Sequence, residues 1–211
     1  MVSTAPRRRT QAERRASTRA RLLEATVECL AERGYAGTTT IEVARRAGLS
    51  RGAQLHHFGT KTDLVTSAME HLHLVLLDEF RRAMASFPPG VDALDASIDV
   101  IWGLYSSPWT VAWMELSLAA RNDEDLRHRM AILERRFLES AREAFAEISP
   151  LGGADPMYSI APLFTFALLD GLALRRQVVR DDDEVDNVLN ALKAVAHLMA
   201  SVAAPTAEEG I

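Results

Sequence analysis

Arg51, Gln54, His56, His57 and Lys61 stand together in one short polar stretch near the N-terminal end of this 211-residue chain. Arginine can contact guanine through two hydrogen bonds and glutamine can do the same with adenine, while histidine and lysine reach phosphate oxygens. The chemistry on offer is therefore the reading of a nucleic-acid duplex. Ser50 caps the start of this stretch, and Gly52 and Ala53 keep it slim enough for a helix N-terminus to enter a major groove. Leu55 completes it. A helix over roughly 51–58 is too polar for a core and too short to stand alone, so its outer face is the functional one. The competing reading, a plain solvated surface helix, has to ignore what precedes it.

What precedes it is a second helix that positions the first. Thr39 followed by Glu42 predicts a capping box, in which hydroxyl and carboxylate satisfy backbone amides reciprocally. Val43, Ala44 and Ala47 turn inward, Gly48 supplies the left-handed residue that ends a helix cheaply, and Leu49 plugs the corner. Two short helices broken at a glycine, the second basic, form the pattern of a DNA-reading helix-turn-helix.

The stretch resembles the N-terminal domain of the tetracycline-repressor (TetR) family of transcriptional regulators. The resemblance is carried by Leu22–Leu30, Gly34-Tyr35, Thr38-Thr39, Val43-Ala44, Ala47–Gly52, His56-His57-Phe58 and Lys61–Leu64, and it is strong over residues 17–66. It implies that Thr39 and Lys61 meet phosphates, that Arg51, Ala53, Leu55 and His56 lie at or near bases, and that His57 approaches the backbone. Two positions depart from the family. Leucine is usual where this chain has Gln54, and tyrosine where it has Leu55. Two orientations of Gln54 stay open, into the groove or inward within the domain.

Charge agrees with this reading. Residues 1–61 carry 12 Lys/Arg against 5 Asp/Glu, whereas the whole chain has a net charge of −5. One basic end on an acidic protein supports nucleic-acid binding more than the overall balance opposes it. Residues 1–16, with Arg7-Arg8-Arg9 and Arg14-Arg15, lack hydrophobic periodicity and read as a disordered basic arm able to probe a minor groove.

The rest of the chain keeps helical spacing, and no alternating strand pattern occurs. An all-α fold of about nine helices follows: an N-terminal three-helix DNA-binding domain over 17–61, a ligand-binding and dimerisation domain over 62–204, and a flexible tail over 205–211. A first helix ends at Gly34. A long helix runs from Lys61 or Thr62 to about Phe87, where Pro88-Pro89-Gly90 stops it, and would join the two domains. Five more are predicted over about 91–106, 108–121, 124–148, 156–180 and 183–203.

Trp102, Tyr105, Trp109, Trp113, Phe137 and Phe164 could line a concave apolar ligand site, with Tyr105, Glu115 or Arg175 as orienting polar groups. Core filling is the bland alternative for each ring. The resemblance tips the group toward a pocket, since the family couples a ligand-binding body to its DNA-binding head. An apolar or amphipathic aromatic or fatty molecule suits the residue types. Val185, Val188, Leu192, Val195 and Met199 recur at steps of three and four, a coiled-coil type of seam, and Leu168 and Leu172 flank the small Gly171. With the resemblance these residues predict a homodimer through a four-helix bundle, and hence a pseudo-palindromic double-stranded operator, released by a small-molecule effector. A ligand-binding or protein-interaction module without specific DNA binding is the alternative, supported by the departures at Gln54 and Leu55.

Other classes find little support. Histidines stand at 56, 57, 71, 73, 128 and 197, and no pair has the spacing that puts two ligands on one helical face. No metal, no cofactor and no catalytic group is therefore expected. The lone Cys29 reads as a buried structural thiol. No apolar run approaches a bilayer span, so no membrane partner and a cytoplasmic location are expected.

Overall fold

The computed structural model describes residues 10–50, 52, 57–105, 107–148 and 156–203. Among them the chain forms eight helices and no strand. In chain order these are α1 (Gln11–Gly37), α2 (Thr40–Arg46), α3 (Lys61–Ala85), α4 (Ala93–Leu104), α5 (Pro108–Ala119), α6 (Glu124–Ile148), α7 (Pro156–Arg176) and α8 (Asp182–Ala203). They fall into two compact units. One holds the residues up to His71 together with Val111–Met130, the other holds Leu72–Thr110 and the residues from Ala131 onward.

The first unit is built on α1, whose buried stripe is Leu22, Leu23, Thr26, Val27, Cys29 and Leu30. Thr26, fully buried, satisfies its hydroxyl by donating to the Leu22 carbonyl at 2.6 Å. The helix begins at a reciprocal capping box, Thr10 with Glu13, so residues 11–16, assigned from the sequence to a disordered arm, are helical, and residues 1–9 of that arm lie outside the described residues. The arginine-rich composition hid that start, because its first turns are exposed and carry no apolar period. Gly34 breaks the helix as expected, at φ 66° and ψ 176°, and one further turn reaches Gly37. Val43, Ala44 and Ala47 of the α2 region, Phe58, and Leu64, Val65, Ala68 and Met69 of α3 are buried in the same unit, as are Leu116 and Leu126.

That last pair corrects the expected boundary at residue 61. The opening turns of α3 bury four apolar side chains in the first unit, and a segment some fifty residues later in the chain joins them. A linear sequence boundary carries no signal for such a return.

In the second unit, α4 starts at Asp92, whose Oδ1 accepts from the Leu94 and Asp95 amides at 3.0 Å each. Its buried face, Ala96, Ile98 and Ile101, lies with Leu169, Leu172 and Ala173 of α7 and Val185, Leu189 and Leu192 of α8 in the core. The α7 helix ends at Arg176, four residues short of the predicted 180. The Gln177, Val178 and Val179 amides fold back onto the Leu174 and Arg175 carbonyls, and Asp181 then caps α8 through the Glu184 amide at 3.1 Å.

Candidate functional site

The turn after α2 is a Schellman motif. The Leu49 amide donates to the Ala44 carbonyl at 2.9 Å and the Gly48 amide to the Arg45 carbonyl at 3.1 Å, with Gly48 at φ 64°. Arg21 of α1 donates to the Ala47 carbonyl at the same corner, so the turn is fastened to the first helix. Such a corner fixes the direction in which the following residues leave. Ser50 and Gly52 are exposed there, His57 is half-buried, and Phe58 is buried with the Arg19 guanidinium 5.6 Å from its ring centre. Arg51, Ala53, Gln54, Leu55 and His56 lie outside the described residues.

Thr39 caps α2 by accepting from the Glu42 amide at 3.1 Å, but the predicted reciprocal half is not made. The Glu42 carboxylate instead takes two hydrogen bonds from Arg45, at 2.9 and 2.7 Å, and a contact from Arg33 at 3.3 Å. Guanidinium donors outcompete a neutral amide for a carboxylate. The Arg45 hydrogen bonds, with the surrounding guanidinium charges, push Glu42 down to about 2. Arg46 pairs with Glu28 and Glu32 of α1, so both arginines of α2 serve the frame.

Lys61, expected at a phosphate, donates from Nζ to the Tyr35 carbonyl at 2.5 Å and lies 3.8 Å from the Tyr35 ring centre. Burial holds its ammonium below the ordinary lysine range. Two of its three donors are left for another acceptor. The Tyr35 amide in turn donates to Glu115 Oε2 of α5 at 3.2 Å. Glu115 is therefore part of the first unit and does not orient a ligand in the second, as the sequence reading had allowed. The glycine before Tyr35 has a steric reason as well as a conformational one: a Cβ on Gly34 would sit 2.5 Å from that same Oε2.

The second unit contains an apolar cavity that opens to solvent. Tyr105, Trp109 and Phe137, three of the rings expected at a ligand site, line it together with His73, Phe145 and Phe166. The rings run in sequence: Tyr105 to Trp109 at 5.9 Å edge-on, Trp109 to Phe137 at 5.9 Å, Phe137 to Phe166 at 4.7 Å. Three predicted lining residues are placed elsewhere. Trp102 stacks on Tyr105 at 6.1 Å with Arg176 over its ring, Phe164 lines a separate cavity with Ile98 and Met199, and Trp113 belongs to the first unit. Arg175 pairs with Glu184 at 2.9 Å and does not line the cavity.

Sequence reasoning missed the polar partner of the cavity-lining Tyr105. The Tyr105 hydroxyl donates to Asp170 Oδ1 at 3.0 Å. Burial raises Asp170, and burial with the Asp170 charge raises Glu134. Burial first, and then the Asp170 charge, pushes Tyr105 far up. A usable signal existed: Asp170 is the lone charge in the apolar run Phe164–Leu174.

The predicted dimer seam divides in two. Leu172, Val185 and Leu192 are buried inside their own chain, Leu168, Val188 and Met199 are half-buried, and Gly171 and Val195 are exposed. Among the described residues, the large apolar side chains left to solvent on these helices are Ile160, Leu163, Phe164, Leu174, Val195 and Leu198. Period alone marks an apolar stripe without saying whose chain covers it, so the seam as predicted was in good part the monomer core. Elsewhere His197 of α8 meets Asp95 at 2.9 Å and Asp92 at 3.7 Å across the start of α4, while Lys193 meets Asp99 at 2.6 Å. Cys29 is fully buried, which raises its thiol. Among the described residues no helix is long and apolar enough to cross a membrane.

A model of the bacterial regulatory proteins of the tetR family matches residues 22–68. The HTH-type transcriptional regulator CymR of Pseudomonas putida is 31% identical over 193 residues, covering 90% of this chain and 95% of CymR. The HTH-type transcriptional repressor AcnR of Corynebacterium diphtheriae is 28% identical over 181 residues, covering 83% and 89%. A solved transcriptional regulator of Pseudomonas aeruginosa shares the fold, with a TM-score of 0.69 at 24% identity over 91% of this chain and 93% of that one.

Proposed function

Because the chain belongs to the tetR family, whose members are DNA-binding transcriptional regulators, we propose that it is a repressor that a small molecule removes from its operator. The observation that carries this reading is the pairing of a glycine-turned, Arg21-fastened α2 corner with a separate aromatic cavity in the same chain. AcnR, similar over most of its length, is named a repressor, which supports the sign of regulation.

Base reading falls to Arg51, with Gln54, Leu55 and His56 beside it, and Thr39, His57 and Lys61 hold the phosphate backbone. Two chains meet through the exposed apolar side chains of α7 and α8, Ile160, Leu163, Phe164, Leu174, Val195 and Leu198, with Gly171 allowing close approach. Two reading helices about 34–36 Å apart then require a pseudo-palindromic site. The α3 helix buries Leu64 and Met69 in the first unit, and Leu76 and Phe80 on its later turns line the cavity. A ligand that favours one setting of α3 must change DNA affinity by the free energy with which it distinguishes the two settings.

Selection from random duplex tests the reading. The full chain should enrich a pseudo-palindrome, and Arg51→Ala should abolish the preference while leaving weak, salt-sensitive binding. Enrichment of no common sequence would overturn it.

A further inference from the structure

We propose that Asp92, Asp95 and His197 hold a divalent transition-metal ion, zinc or one like it, where the start of α4 meets α8. Two carboxylates and an imidazole converge there, with one donor atom of each within 4.8 Å of the others. His197 Nε2 lies 2.9 Å from Asp95 Oδ1 and 3.7 Å from Asp92 Oδ1. Donors bound to zinc at about 2.0–2.1 Å in tetrahedral geometry stand about 3.3 Å from one another, so these two spans bracket what the ion needs. Spacing along one helix gives no hint of such a site, because Asp95 and His197 are 102 residues apart.

The donors are also oriented and under-neutralised. Asp92 Oδ1 accepts the Leu94 and Asp95 amides at 3.0 Å each, which fixes the carboxylate as outer-shell hydrogen bonds fix metal ligands. One turn along the same helix pair, Asp99 of α4 is met by Lys193 of α8 at 2.6 Å. Asp92 and Asp95 have no such partner. Among the described residues neither pairs with a lysine or an arginine, and one imidazole offers at most a single positive charge against two carboxylates. A divalent ion balances both, with His197 bound as a neutral ligand through the Nε2 lone pair. The imidazole selects a transition metal over magnesium or calcium, which favour oxygen donors alone. The three side chains are 42–51% exposed, so an ion enters without the helices parting and water fills its remaining positions. Leu94 and Ile98 of α4 and Ala196 and Met199 of α8 wall the cavity that Phe164 lines, so the ion ties together two helices that enclose it.

Zinc chloride, titrated by calorimetry into full-length protein stripped with a chelator and dialysed, tests this independently of operator and effector. One ion per chain should bind, magnesium should bind far more weakly, and saturating zinc should raise the melting temperature. His197→Ala and Asp95→Asn should each weaken binding by about 100-fold or more, beyond the roughly 10–100-fold cost of losing an outer-shell partner, and abolish the thermal shift. Asp92→Asn should weaken it too while keeping the α4 cap, since asparagine caps as well as aspartate. Should one variant fail to fold, the others are read in the same way. Asp99→Asn, which changes a neighbouring charge but no ligand, should leave zinc affinity near that of the natural chain. A plain His–Asp ion pair predicts no saturable zinc uptake, and that result would overturn the proposal. So would magnesium bound as tightly as zinc, zinc affinity that survives His197→Ala or Asp95→Asn, or an equal loss in Asp99→Asn, the mark of general surface charge.

Discussion

Gly34→Ala should destabilise the protein by more than any backbone effect accounts for, through a carboxylate far away in the sequence. Gly34 sits at φ 66° and ψ 176°, a region that residues with a Cβ occupy at a cost of about 1–3 kcal/mol. The new Cβ would stand 2.5 Å from Glu115 Oε2, so the carboxylate must withdraw and release the Tyr35 amide it holds at 3.2 Å. Losing a part-buried hydrogen bond adds about 1 kcal/mol or more. The sum is roughly 2–4 kcal/mol, which for a chain of this length lowers the melting temperature by roughly 5–15 °C. Scanning calorimetry of Gly34→Ala, Glu115→Ala and the double variant measures it. In the Glu115→Ala background the glycine substitution should cost about 1 kcal/mol less, because the clash has gone. Gly90→Ala, at φ 95° with nothing within 4 Å, should show the conformational part alone. Equal costs of Gly34→Ala with and without Glu115, or a cost below about 1 kcal/mol, would refute the reasoning.

Other outcomes follow from single side chains. Leu174→Glu and Leu198→Glu, at exposed positions, should convert a dimer to a folded monomer in sedimentation, whereas Leu192→Ala, buried in the monomer, should cost about 2–5 kcal/mol in denaturant unfolding. Thr39→Ala should cost about 1 kcal/mol through the lost α2 cap, read in the same assay. For Asp170, a folded-state pKa raised above the unfolded value means that the ionised side chain lowers stability at neutral pH, and that this loss is recovered as pH falls through the folded value. Asp170→Asn should therefore raise the melting temperature at pH 7, and the gain should shrink toward the unfolded aspartate value of about 3.9. A gain independent of pH would contradict the assignment.

Local signals were legible in the sequence and non-local ones were not. Gly48 and Leu49 predicted a turn because a Schellman corner is made within six residues. Thr39 likewise predicted its cap, but the Glu42 carboxylate turns to Arg45, three residues on, and Arg33, which only the packing of α1 against α2 brings near, adds to that pull. Trp109 and Trp113, four residues apart on α5, look like one aromatic face, yet the division between the units falls at Thr110 and Val111 and separates them. Val185 and Leu192 keep coiled-coil spacing for the same reason that Val195 does, since one helix can bury part of its stripe at home and leave the remainder exposed. Asp170 was readable as a lone charge in an apolar run, but its meaning came from Tyr105, sixty-five positions away.

The central claim is that two copies of this chain read one operator. Equilibrium titration of the full chain against the selected duplex, and against a single half-site of it, tests that claim most directly. The full site should take up an even number of chains, the half-site should bind more weakly by orders of magnitude, and binding should fall steeply with salt. A half-site bound as tightly as the whole, by one chain, would contradict it.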